Sequence, residues 1–257
     1  MGYWFVKLKF ISFDYFCMTE DRRNRFNEFM SIADGQYFES NDEMIDFMKK
    51  YADELISDEV FSAMRKVDRK EFLTDFKERS YLLRPLPIGC YQTCSAPYVV
   101  AVFNEALKLK PGEKVLEIGA GCGYHAATVG AQIGKGEVHS FDIIEELAEL
   151  ARRNIENARK KVDMADIHVH FGDASEGFKD EADFDAIYMT SAAPPNYDVK
   201  ILLKQLKIGG RLVVPFTENS YGGRVFLFEA NKDNPKVECI ADMGFVPLIG
   251  KRGWKIT

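Results

Sequence analysis

Beyond residue 95 the chain alternates between two hydrophobic periods. Short runs of apolar and β-branched residues predict buried strands at 114–120, 137–144, 167–171, 184–190 and 211–215, the last opened by Gly209-Gly210. Between them the apolar positions recur every three or four residues. The segment 124–133 reads as one helix, and 199–206 as another. Leu147, Leu150, Ala151, Ile155 and Ala158 trace one face of a helix that begins near Glu145. Strands alternating with helices imply parallel βαβ units in a doubly wound α/β sheet, which 224–229 and 237–247 close as an antiparallel edge.

Upstream the pattern is helical. Met44, Ile45, Phe47, Met48, Tyr51, Val60, Phe61 and Met64 fall at spacings of three and four, and Arg84-Pro85-Leu86-Pro87-Ile88-Gly89 reads as an ordered loop. The expected organisation is an extension of unknown role (1–40), a helical region ending in a loop (41–98), and a sheet domain (99–257) forming one unit with it. The segment 4–18 is aromatic and apolar but carries Lys7, Lys9 and Asp14, too many charges for a membrane span or a signal peptide. The alternation from Phe5 to Phe10 suits an edge strand, and Met18 is an alternative natural start.

Composition narrows the function classes. With 46% hydrophobic and 29% charged residues the chain is an ordinary globular one, and a net charge of −6 offers no basic field for a polyanion. Nucleic acid and membrane are therefore not expected as partners. Five cysteines without a CxxC pair form neither a disulfide framework nor a zinc ribbon, and read as reduced thiols of a cytoplasmic protein.

The chemistry is signalled where the first sheet strand turns into a helix, Val115-Leu116-Glu117-Ile118-Gly119-Ala120-Gly121-Cys122-Gly123-Tyr124. Open α/β sheets bind ligands at such turns. The dinucleotide pattern GxGxxG fails, because Tyr124 stands at its last glycine. Glu117-x-Gly119-x-Gly121-x-Gly123 instead suits S-adenosylmethionine, with Glu117 facing the cationic end directly or through water and backbone amides the carboxylate. Asp142, ending the next strand, is placed for the ribose hydroxyls, and Asp173 in Gly172-Asp173-Ala174 for the adenine amine.

These residues resemble the class I methyltransferases and, more narrowly, the protein-L-isoaspartate O-methyltransferase family. The narrower likeness rests on Pro85-Leu86-Pro87-Ile88-Gly89, Gln92-Thr93-Cys94-Ser95-Ala96-Pro97, Tyr124-x-Ala126-Ala127 and Ser191-Ala192-Ala193-Pro194. It extends to Gln205-Leu206-Lys207-x-Gly209-Gly210-Arg211-Leu212, Phe245-Val246-Pro247-Leu248 and the upstream Ala63-Met64-x-x-Val67-x-Arg69-x-x-Phe72. The resemblance implies a Rossmann-like sheet of seven mostly parallel strands, and methyl transfer from S-adenosylmethionine to the α-carboxylate of L-isoaspartyl residues in damaged proteins and peptides. The ester then closes to a succinimide whose hydrolysis partly restores the backbone. By the same resemblance Ser95 is the active-site serine, and Thr93, Cys94, Gly119, Ala120, Gly121 and Ala174 join Glu117, Asp142 and Asp173 around the cofactor, in a monomer without metal.

Leu82 and Leu83 stand where the family often has an acid, Tyr98 where it often has His, and Ala174 where it has Gly. The first two departures bear on substrate preference. Other readings stay open: Ser95 as an N-cap of the following helix, His125 as packing, His168 and His170 as core or solvated rather than ligands, and Cys90 and Cys94 as small apolar residues. A tRNA or small-molecule methyltransferase and a non-catalytic reader of modified peptides are the competing functions. The sequence Thr190-Ser191-Ala192-Ala193-Pro194-Pro195 lacks the Asn/Asp-Pro-Pro-Tyr pattern used on nucleobase amines.

Overall fold

The computed structural model describes residues 20–219 and 222–255; the candidate edge strand at 5–10 and Met18 lie outside them. The apolar runs become β3 (Lys114–Ile118), β4 (Glu137–Asp142), β5 (Asp166–Phe171), β6 (Phe184–Met189), β7 (Leu206–Asn219), β8 (Gly222–Glu229) and β9 (Lys236–Asp242) of one sheet. Its order is β5-β4-β3-β6-β7-β8-β9, parallel through β7 and antiparallel at β8 and β9. The chain runs outward from β3 to β5 and returns on the other side of β3 as β6. The switch point of this doubly wound fold therefore lies between the ends of β3 and β6.

The helices are α4 (Pro97–Leu107), α5 (Tyr124–Ile133), α6 (Glu145–Arg159) and the single turn α7 (Lys200–Leu203). The last is shorter than the 199–206 periodicity predicts, because Leu206 already pairs with Phe184 as the start of β7. The final strand is also shorter than expected. Residues 243–247 leave the sheet at Gly244, and Pro247, which has no N–H to give a ladder, makes an isolated bridge to Ala192.

Before the sheet come α1 (Glu20–Ala33), α2 (Asn41–Ala52) and α3 (Asp58–Lys66), two 3₁₀ turns at Arg69–Phe72 and Lys77–Arg79, and an antiparallel hairpin of β1 (Leu86–Gly89) and β2 (Gln92–Cys94). Ser40 caps α2 by accepting from Glu43 N. The apolar face of α3, with Val60, Phe61 and Met64 buried, packs on α5. Helix α1 buries Phe26, Phe29 and Ala33 and lies against β9.

One side chain ties this upstream region to the hairpin. Arg69 is fully buried, and its guanidinium donates to the carbonyls of Ser80, Leu82, Arg84, Cys94 and Ser95 at 2.7–3.4 Å. Arginine presents rigidly forked donors, so one residue fixes both edges of the loop. Arg69→Met leaves those buried acceptors unsatisfied, and we expect a loss of at least about 3 kcal/mol. Urea unfolding checks this, and a loss below about 1 kcal/mol contradicts it.

Candidate functional site

Three consecutive turns of the fold meet at the switch point. At the glycine turn, Gly119 N and Ala120 N both donate to Phe141 O at 2.8 Å, and Gly121 N donates to Asp142 Oδ2 at 2.8 Å. These amides are thus engaged within the fold. Gly119 has φ +104°, and a methyl there would overlap Thr190 Oγ1, which donates to Gly119 O at 2.7 Å. Only glycine allows β6 to close so tightly on the turn.

A cavity opens above this turn. Its lining includes the sequence-predicted Thr93, Cys94, Ser95, Gly119, Ala120, Gly121, Asp142 and Ala174. Asp142 is almost buried, and its two oxygens accept from Gly121 N and Ile144 N, leaving further lone pairs for a ligand. Burial raises its pKa, and the backbone amides oppose that rise. Beside it Phe141, Ile143, Ile144, Leu147 and Ala174 form apolar walls. A carboxylate next to a flat apolar slot fits a nucleoside, the diol on the acid and the base against the hydrocarbon.

Two predicted residues stand elsewhere. Glu117 does not line the cavity. Within β3 it is paired in register with Ser140 on one side and Tyr188 on the other, and both hydroxyls donate to its carboxyl group, that of Tyr188 at 2.8 Å. Desolvation pushes its pKa up to about 8, against those hydrogen bonds. Glu117 thus ties three strands together directly beneath the turn. Asp173 is exposed and bound to backbone, accepting from Ser175 N at 2.8 Å and Lys251 N at 2.7 Å. It clasps the C-terminal segment and does not itself line the cavity, whereas the flanking Gly172, Ala174 and Ser175 do.

The sequence reading missed Thr190, Ser191 and the segment 246–249, all of which line the cavity. Thr190 follows the strand paired with β3, a position the parallel pattern marks as the other lip of the switch point. Ser95 is not a cap: α4 is capped by Ala96 without a side-chain bond. The Ser95 and Thr93 hydroxyls make no hydrogen bond among the described residues. Cys94, read as a small apolar residue without a partner, donates its thiol to Ser95 O at 3.8 Å and neighbours the Cys122 thiol. The neighbouring Cys122 and the nearby Arg69 hold Cys94 below the usual thiol range, while Cys122 is pushed up. His125 packs as expected, with Nε2 3.0 Å from Asn104 Oδ1 and burial lowering its pKa to about 3. His168 and His170 stack on His139.

A second, wider cavity of about 1190 Å³ meets the first. Thr93, Ser95, Thr190, Val246 and Pro247 line both. Tyr98 is on its wall, as its sequence position suggested. Leu82 and Leu83 line neither cavity, and Leu83 is fully buried in the core. The leucines therefore do not touch the substrate side, contrary to expectation.

Comparison with known proteins gives these features a context. The family profile described as protein-L-isoaspartate(D-aspartate) O-methyltransferase matches residues 39–253. The protein-L-isoaspartate O-methyltransferase of Methanothermobacter thermautotrophicus is 43% identical over 202 residues, covering 77% of this chain and 90% of that protein. Protein-L-isoaspartate O-methyltransferase 1 of Archaeoglobus fulgidus is 42% identical over 212 residues, covering 80% and 93%. A solved protein-L-isoaspartate O-methyltransferase structure superposes with TM-score 0.72 at 28% identity, covering 83% of this chain and 67% of that one. A Plasmodium falciparum structure, solved in complex with S-adenosyl-L-homocysteine, shares the fold with TM-score 0.68 at 22% identity, covering 80% and 97%.

The placement of Glu117 has a pH signature. Its raised pKa means the folded protein keeps a proton that the unfolded chain releases between about pH 4.5 and about 8. The stability it contributes is full below that window and is lost as pH rises through it. The stability of the wild type relative to Glu117→Gln should fall by up to about 1.4 kcal/mol per pH unit from pH 5 to 8. Chemical unfolding of both proteins across this range is the check, and a pH-independent difference contradicts the assignment.

Proposed function

The chain belongs to the protein-L-isoaspartate(D-aspartate) O-methyltransferase family, and on that premise we propose how its residues carry a methyl group from S-adenosylmethionine to the α-carboxylate of an L-isoaspartyl residue. The observation that carries the reading is the meeting of two cavities at Thr93, Ser95 and Thr190. One has the walls of a nucleoside site, and the other is wide enough for a polypeptide.

When bound, S-adenosylmethionine supplies an electrophilic methyl group on a cationic sulfur. Asp142 holds the ribose hydroxyls, and Phe141, Ile143, Ile144 and Ala174 hold the base. An isoaspartyl carboxylate is already ionised at neutral pH, so no general base is required. What the protein must provide is alignment of nucleophile and methyl carbon. Thr190 has given its hydroxyl hydrogen to Gly119 O, whereas Ser95 at the neck keeps its donor for the incoming carboxylate. Arg69, by binding the Ser95 carbonyl at 3.0 Å, holds that donor in place. The methyl ester leaves as the product and closes spontaneously to a succinimide.

Isoaspartyl proteins and peptides are thus the partners. The net charge of −6 supports the absence of nucleic acid from the reaction, and among the described residues no helix is long and apolar enough to cross a membrane. A cytoplasmic monomer is the form in which we expect it to act.

Incubation with methyl-labelled S-adenosylmethionine should label a short L-isoaspartyl peptide as a base-labile ester and leave the matching aspartyl peptide unlabelled. Label on neither peptide contradicts the assignment. Ser95→Ala should lower kcat/KM for the isoaspartyl peptide on the order of 10²-fold, with cofactor affinity changed by less than about three-fold. Unaltered turnover would mean that Ser95 does not position the carboxylate.

A further inference from the structure

The matched family segment begins at residue 39, yet the wide cavity is walled in part by residues that precede it. Asn27, Met30 and Ser31 of α1 line it, facing Val99, Met243, Phe245 and Trp254. Their spacing of three and four puts them on one helix face. Phe26, Phe29 and Ala33 bury the adjoining face, and Glu28 is exposed. The rotation of α1 is therefore fixed by the core, and the groove face is not a chance exposure.

Its position is fixed as well, at both rims. Asn27 Nδ2 donates to Asp242 Oδ2 at 3.1 Å, beside the groove residue Met243. At the other end Arg84 makes a forked pair with Asp34 at 2.9 and 3.0 Å, and Leu83 N donates to Gln36 O at 2.8 Å, beside the groove residue Pro85. Helix α1 thus links the loop that carries Pro85 to the segment after β9.

We propose that α1 is part of the acceptor site, with Met30 forming an apolar subsite for a side chain that neighbours the isoaspartate in an extended polypeptide. The inference rests on the function proposed above and deepens it. Methionine is unbranched and polarizable, and a second methionine, Met243, lines the same cavity as Met30. Such a wall adapts to many apolar shapes while disfavouring charged ones. Damaged, partly unfolded chains present apolar residues that intact surfaces hide. The subsite therefore selects for damage in unfolded segments, and a minimal peptide that ends at the isoaspartate gains nothing from it.

The test compares an isoaspartyl nonapeptide bearing Leu next to the isoaspartate, on either side, with an isoaspartyl tripeptide of Gly neighbours. The ratio of kcat/KM for the better nonapeptide to that for the tripeptide should fall about ten-fold in Met30→Glu and recover in Met30→Leu. Glu28→Ala, on the exposed face, should keep the wild-type ratio. A photoreactive leucine in the nonapeptide should crosslink to residues 27–31, a readout that does not depend on any variant folding. A ratio within two-fold of wild type in Met30→Glu, or crosslinks confined to other segments, overturns the subsite. A wild-type protein that methylates the tripeptide and nonapeptide equally overturns the subsite but leaves the function standing. Methylation of neither removes both.

Discussion

A buried guanidinium governs the geometry of the site. Among the described residues Arg69 has no carboxylate partner; its charge is met by carbonyl oxygens from the loop before the hairpin and from Cys94 and Ser95 at the end of β2. A charge so placed is tolerable only while all those dipoles stay turned toward it. The loop therefore has one conformation, and that conformation sets Ser95 above the glycine turn. Cys94 and Cys122 stand next to each other where the same two segments meet, and the charge of Arg69 lowers the pKa of both thiols against their burial.

The cofactor half of the site follows from the sheet. Chain order reverses beside β3, so the connections that leave β3 and β6 diverge and leave a crevice above the paired strand ends. Gly119 lets Thr190 close one side of it, and Asp142, held by the amides of Gly121 and Ile144, lines the other. Nothing in this arrangement calls for proton transfer at the reacting atoms. The acceptor is ionised before it arrives, which is why the neck needs a positioned donor rather than a base.

Much of this was legible in the chain. The strand and helix runs marked the doubly wound sheet, and the glycine turn with Asp142 marked the cavity at its switch point. The surroundings of two acids were not legible, because sequence position does not fix side-chain direction. Glu117 sits one residue inside the end of β3, and strand register sets it between Ser140 and Tyr188 rather than at the mouth. Asp173 lies just past β5, but its oxygens meet Lys251 N, a partner 78 residues on that no local pattern reveals. Arg69 was visible only as part of a resembling segment, because its acceptors are backbone atoms and leave no mark in composition. Helix α1 did carry a signal, Phe26, Phe29, Met30 and Ala33 at helical spacing, in a region with no recognised counterpart.

The account stands on Ser95 being where nucleophile and cofactor meet. A crystal structure of the protein with S-adenosyl-L-homocysteine and an L-isoaspartyl peptide tests this most directly. It should show the adenosyl group between Asp142 and Ala174, and the isoaspartyl α-carboxylate accepting from Ser95 Oγ at the neck between the cavities. A peptide carboxylate bound away from Ser95, with the sulfur of the cofactor product facing another group, would contradict it.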